Sequence, residues 1–238
     1  MSKLNIVAIH GAGGGSWEWD LWRAELNKLD ADKLLQLTFH TVNLLPNPLG
    51  LEQTTFEDYV RQIVDVCVDM PRLYLVGASM GGPLVARAAE HLPNCVGLIF
   101  ICTVVYNKEE ASLLSDKELY PPIIRWSGGD SQETLDAIPD CTTSIAEWAS
   151  QLWRDESGAV LNTAFHDGID FKLGANLRLC CVIPMSDTTI DPRRQVAFAQ
   201  LIKARRFEYE GMSHAGPLLG GIRVADVVRD VIRWILLE

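Results

Sequence analysis

Three residues far apart in the chain have the types needed to run one reaction. Ser79 lies in Val76-Gly77-Ala78-Ser79-Met80-Gly81-Gly82, at the G-x-S-x-G spacing. Asp187 ends Pro184-Met185-Ser186-Asp187, and His214 lies in Gly211-Met212-Ser213-His214-Ala215-Gly216. A serine hydroxyl is a poor nucleophile until a base takes its proton, and an imidazole serves best when a carboxylate fixes its tautomer. The chemistry on offer is acyl transfer, with Ser79 as nucleophile, His214 as base and Asp187 as the orienting acid. Asp191 is the rival acid, but Pro192 beside it reads as the start of a helix with Asp191 as its cap. His10 ends the first strand pattern, His40 sits inside the second, His91 follows a helix and His166 falls in an irregular stretch. Only His214 follows a late strand on a loop able to reach Ser79.

A tetrahedral intermediate also needs donors for its oxyanion. His10-Gly11-Ala12-Gly13-Gly14-Gly15-Ser16-Trp17 leaves the first strand as a glycine-rich loop. It lacks the G-K-[ST] ending of a phosphate loop. As a dinucleotide fingerprint it fails at Ser16, and no acidic residue ends the second strand. Its better use is to turn the Ala12 N–H toward the same point as the Met80 N–H, one such donor being worth about 3–4 kcal/mol of barrier.

Elements able to position these residues alternate along the chain. Strand patterns cover Leu4 to His10, part of Leu34 to Leu45, Arg72 to Val76, Val96 to Ile101, Leu177 to Ile183 and Arg206 to Glu210. Helical spacing covers Trp17 to Leu29, Phe56 to Val68, Pro83 to Ala89, Arg193 to Ala204 and about Ile222 to Leu237. Thr54 or Thr55 can cap the second helix, with Glu57 and Asp58 suited to its positive end. Such alternation predicts an α/β fold, a mostly parallel central sheet covered by helices on both faces. Between Val104 and Gly174 the alternation stops and no buried strand is evident. Residues 104–174 read as a small, mainly helical cap inserted between two core segments, 1–103 and 175–238.

Composition narrows the partners. The chain has 238 residues, 48% hydrophobic and 22% charged, with a net charge of −10. That excess of anions argues against nucleic acid or an anionic membrane as a main partner. Met1-Ser2-Lys3 leads into a strand without a separate apolar signal region, and no apolar run reaches the roughly 18 residues of a membrane span. The six cysteines (67, 95, 102, 141, 180, 181) follow no disulfide-scaffold or metal-ligand spacing. The expectation is a cytoplasmic protein with no cofactor and no metal, monomer or homodimer.

Taken together, these motifs resemble the α/β-hydrolase superfamily over essentially the whole chain. More narrowly, His10-Gly11-Ala12-x-x-Gly15-x-Trp17-x-Trp19 is similar to the opening of the plant methylesterase and hydroxynitrile lyase branch and its microbial esterase relatives. Ile138-Pro139-Asp140-Cys141 followed by Ala146-Glu147-Trp148-Ala149 is similar to a cap segment of that group. The resemblance implies the same Ser79, Asp187 and His214 roles and the same Ala12 and Met80 donors. Lyases of that branch carry a threonine after the first-strand histidine and a lysine after the catalytic one, where this chain has Gly11 and Ala215. The usual glycine three positions before the acid is Pro184 here.

The expected activity is that of a serine esterase cleaving a small, largely apolar carboxylic ester or lactone. Candidate pocket residues are Gly11, Trp126 and Trp148. The same machinery serves C–C hydrolases, thioesterases and biosynthetic cyclases, and a hydrolase-like ligand receptor with negligible turnover is the rival of another class.

Overall fold

The computed structural model describes residues 4–29, 36–112 and 118–237. The expectation about Met1-Ser2-Lys3 and the first part of the second strand pattern lie outside these residues. In chain order the strands are β1 (Leu4–Ile9), β2 (Leu37–Val42), β3 (Leu73–Ala78), β4 (Cys95–Ile101), β5 (Ile123–Ile124), β6 (Glu156–Ser157), β7 (Arg178–Pro184) and β8 (Arg205–Tyr209). The helices are α1 (Asp20–Leu29), α2 (Phe56–Cys67), α3 (Gly81–Ala89), α4 (Lys108–Ser112), α5 (Ser131–Ala137), α6 (Thr143–Ser150), α7 (Gly158–Asn162), α8 (Pro192–Leu201), α9 (Gly216–Leu219) and α10 (Val224–Leu236).

Six strands form one sheet in the order β2-β1-β3-β4-β7-β8, and every pairing in it is parallel. A parallel sheet has both faces covered, so its strands read as continuous apolar runs, as Leu4–Ile9 and Leu73–Ala78 do. Alternate side chains serve opposite faces. Val7, Ile9, Leu73, Leu75, Leu98 and Phe100 pack under α2, α3 and α8, through residues such as Tyr59, Leu84 and Phe198. Ile6, Ala8, Tyr74, Val76, Ile99 and Ile101 pack under α1 and α10, through Trp22, Val227 and Val231. The cap of α2 is Thr55. Its hydroxyl accepts the Asp58 N–H (3.2 Å), and the Asp58 carboxylate accepts the Thr55 N–H in return (3.0 Å).

The order reverses between β1 and β3, the position where open α/β sheets bind ligands beyond their strand ends. The β1, β3, β4 and β7 ends lead into Gly11, Ser79, Cys102 and Asp187, and the loop after β8 carries His214. Residues 104–174 join the neighbouring strands β4 and β7, and the described residues among them add no strand to the main sheet. They do contain strands, contrary to expectation: β5 and β6 pair antiparallel, and Glu156 and Ser157 are fully buried. At two residues each, they are too short to leave an alternating pattern. No helix among the described residues is long and apolar enough to cross a membrane.

Candidate active site

Ser79 occupies the turn between β3 and α3 with φ +49°, a left-handed conformation rare for a residue with a side chain. Four contacts hold it there. Its N–H donates to the Ile101 carbonyl (2.9 Å), and its carbonyl accepts from the Gly82 N–H (2.9 Å) and from Thr103 Oγ1 (2.7 Å). Close backbone approach supplies the fourth: a Cβ on Gly81 would lie 2.6 Å from the Ile9 carbonyl oxygen, and one on Gly77 would collide with the Gly81 carbonyl. Thr103 is a brace that the sequence did not single out.

Asp187, His214 and Ser79 form one hydrogen-bonded chain. His214 Nδ1 stands 2.8 Å from Asp187 Oδ2, and His214 Nε2 stands 3.0 Å from Ser79 Oγ. An ionised carboxylate only accepts, so Nδ1 carries the proton and the bare Nε2 faces the serine hydroxyl. Asp187 is itself oriented: Oδ1 accepts the Thr189 and Ile190 N–H groups (2.8 and 2.9 Å), and Oδ2 also accepts from Gln195 Nε2 (2.8 Å). Pro184 ends β7, and its carbonyl accepts the Asp187 N–H (3.2 Å) to close the turn. Asp191 stands apart as the cap of α8, bound to the Arg193 N–H and guanidinium.

His10 has a different job. Nδ1 donates to the Gly11 carbonyl (2.7 Å), while Nε2 accepts from the Leu44 N–H and the Arg154 guanidinium (both 3.1 Å). Burial, followed by the Arg154 charge, pushes its pKa down to about 3, so the ring stays neutral.

Ser79 and His214 open onto a cavity of about 760 Å³ that Gly11, Ala12 and Trp126 also line. Trp126 lies over the glycine loop, where a Cβ on Gly13 would overlap its ring. Trp148 is not in the lining. Its ring meets Trp17 edge-on at 5.3 Å, and Trp153 also meets Trp17 edge-on at 4.8 Å, so Trp148 joins an aromatic cluster just ahead of α1. Trp19, the second tryptophan of the opening motif, is buried against Trp22 and Phe39. Cys102 also lines the cavity, but burial holds its thiol well above the ordinary range, so it is protonated.

Met80 follows Ser79, Ala12 lines the same cavity, and no hydrogen bond among the described residues engages either N–H. Two buried carboxyls beneath the glycine loop escaped the sequence reading. Gly11 N–H donates to Glu18 Oε2 and Gly13 N–H to Glu156 Oε2, each at 3.2 Å. Glu18 was visible only as the acid between Trp17 and Trp19. Burial pushes its pKa up to about 7, partly offset by the Gly11 N–H. Asp140, on the loop between α5 and α6, accepts the Ser213 N–H (3.1 Å) and the Ser213 hydroxyl just before His214.

Comparison with known proteins agrees with this architecture. Polyneuridine aldehyde esterase superposes with a TM-score of 0.72 at 18% identity, covering 97% of this chain and 100% of that one. A methylesterase from Arabidopsis superposes with a TM-score of 0.72 at 15% identity, covering 99% and 100%. Norfluorocurarine synthase 1 from Strychnos nux-vomica is 31% identical over 111 residues, 43% of this chain and 40% of that relative. The match therefore spans well under half the length of that protein. The profile of the alpha/beta hydrolase family matches residues 6–235, and the chain belongs to that family.

Proposed function

We propose that the chain is a serine hydrolase of small, largely apolar carboxylic esters or lactones, working without a cofactor. The observation that carries this reading is the continuous Asp187–His214–Ser79 hydrogen-bonded chain lining the cavity. Ser79 Oγ bonds to the substrate carbonyl carbon while its proton passes to His214 Nε2, and the carbonyl electron pair moves onto oxygen. The spare Ala12 and Met80 N–H groups are the donors for that oxyanion. On collapse the carbon–alkoxy bond breaks and His214 returns the proton to the leaving alcohol. Water then repeats the sequence, His214 taking its proton, and the acyl–Oγ bond breaks to release the acid and restore Ser79.

The names of the structural neighbours, an aldehyde esterase and a methylesterase, support ester chemistry. The partial match to a synthase favours one second reading, a biosynthetic conversion by the same residues. Product mass separates the two, since hydrolysis adds one water across the substrate.

Ser79→Ala is expected to lower p-nitrophenyl acetate turnover by about 10⁶-fold with an unchanged circular dichroism spectrum. Full activity in that variant overturns the role given to Ser79.

A further inference from the structure

A glycine-rich loop is a poor place to fix one N–H, because each glycine leaves the chain free to rotate. Here two buried carboxyls remove that freedom. Glu18 is 5% exposed and Glu156 fully buried. Glu18 reaches the loop from the 3-10 turn ahead of α1 and takes the Gly11 N–H; a Cβ on Gly14 would overlap its carboxyl, so the loop closes around it. Glu156 reaches the loop from β6. Its Oε1 is engaged by Tyr59 OH and the Ser157 N–H (both 2.8 Å), which leaves Oε2 for the Gly13 N–H. The Arg154 N–H grips the Gly13 carbonyl (2.9 Å), and the Gly14 N–H turns back to the Gly11 carbonyl (3.4 Å). From Gly11 to Gly14, every N–H but that of Ala12 is engaged. The point where a Gly11 Cβ would sit is 3.4 Å from Ser79 Cβ and 3.8 Å from Glu18 Oε2, so the brace and the serine share one corner of the site.

We propose that Glu18 and Glu156 are positioning residues that build the oxyanion site, holding the flanking N–H groups so that Ala12, alone among residues 11–14, presents its donor to the reacting carbonyl beside that of Met80. This rests on the ester-hydrolase reading above. It assigns residues 104–174 a share in the chemistry, because Glu156 and Arg154 belong to that insertion. A carboxyl acts here without touching substrate: it orients a neighbouring amide, and orientation within about 1 Å is worth up to about 10²-fold in rate.

Phenylboronic acid is the test, since it bonds to Ser79 Oγ as a tetrahedral adduct with an oxygen where the oxyanion develops. With ¹⁵N-labelled protein, adduct formation should move the Ala12 and Met80 amide protons downfield, while those of Gly11 and Gly13 hold nearly still. Glu18→Leu, which removes the acceptor, should lower kcat about 10- to 100-fold, leave KM nearly unchanged and weaken phenylboronate by a matching factor. Glu18→Gln keeps an acceptor oxygen in place and should recover most of that loss. A Ser79 adduct that leaves the Ala12 amide unmoved overturns the proposal, as does a folded Glu18→Leu variant with wild-type kcat and boronate affinity. If Glu18→Leu does not fold, the amide shifts in the unmodified protein decide alone. Absence of any adduct at Ser79 removes the ester-hydrolase reading, and this proposal with it.

Discussion

Asp187 and Asp191 show how four residues of separation assign two carboxylates to unrelated work. Asp187 collects two backbone N–H groups, the Gln195 amide and the His214 ring, while Asp191 caps α8 and pairs with Arg193 at the surface. Asp187→Asn should therefore lower kcat by about 10⁴-fold through loss of the correct tautomer. Asp191→Asn keeps a good cap and should leave turnover near wild type; steady-state kinetics on both variants checks the ranking. Glu18 offers a second residue-scale test. Its folded pKa of about 7 exceeds the ordinary 4.5, so between those values the folded chain holds a proton that the unfolded chain has lost. Its contribution to stability is complete below about pH 4.5 and fades as pH climbs through 7. Arg154 opposes the shift and Glu156 reinforces it, so both belong in the same titration. Glu18→Gln should flatten the fall in Tm between about pH 5 and 8. His10 works in the other direction, weakening the fold as pH drops below 6.5, and should keep doing so in that variant.

At the scale of elements, the β3–α3 turn joins stability to function. Gly81 packs against the backbone of Ile9 and His10, which also launches the glycine loop. Gly81→Ala should cost about 1–3 kcal/mol by overpacking and lower kcat together with Tm, because the β1 end must give way. Gly174→Ala, whose added carbon would meet only the Leu177 side chain at 3.6 Å, is the matched control. Thermal melts alongside kinetics measure both. These elements were legible in the sequence because apolar runs and caps are local signals: β3, α3 and a cap at Thr54 or Thr55 each declare themselves within a few residues. The braces of the site were not. Glu18 bonds Gly11 seven residues away, and Glu156 bonds Gly13 across 143 residues. A polar side chain satisfied by a distant backbone group leaves no periodicity, so spacing does not mark Glu18. Trp148 failed for a related reason: its spacing on α6 is visible, but the partner that turns it away, Trp17, lies far along the chain.

For the whole molecule, the site draws both on the strand ends of the sheet and on residues 104–174. The sheet edge delivers Ser79, Asp187 and His214, whereas residues 104–174 contribute Trp126, Phe165 and Leu161 to the cavity and Glu156, Arg154 and Asp140 to its supports. A largely apolar cavity of this size should reward acyl length. Across p-nitrophenyl esters of increasing chain, kcat/KM should rise by up to about fourfold per methylene until the cavity is filled, then fall. A flat profile would argue against the apolar acyl pocket.

Every proposed step requires that Ser79 be the residue that bonds to substrate. Treating the protein with a fluorophosphonate and mapping the adduct by mass spectrometry tests this directly. The prediction is one adduct on the peptide holding Ser79, absent in Ser79→Ala and formed far more slowly in His214→Ala. An adduct on another residue, or undiminished labelling without His214, would contradict it.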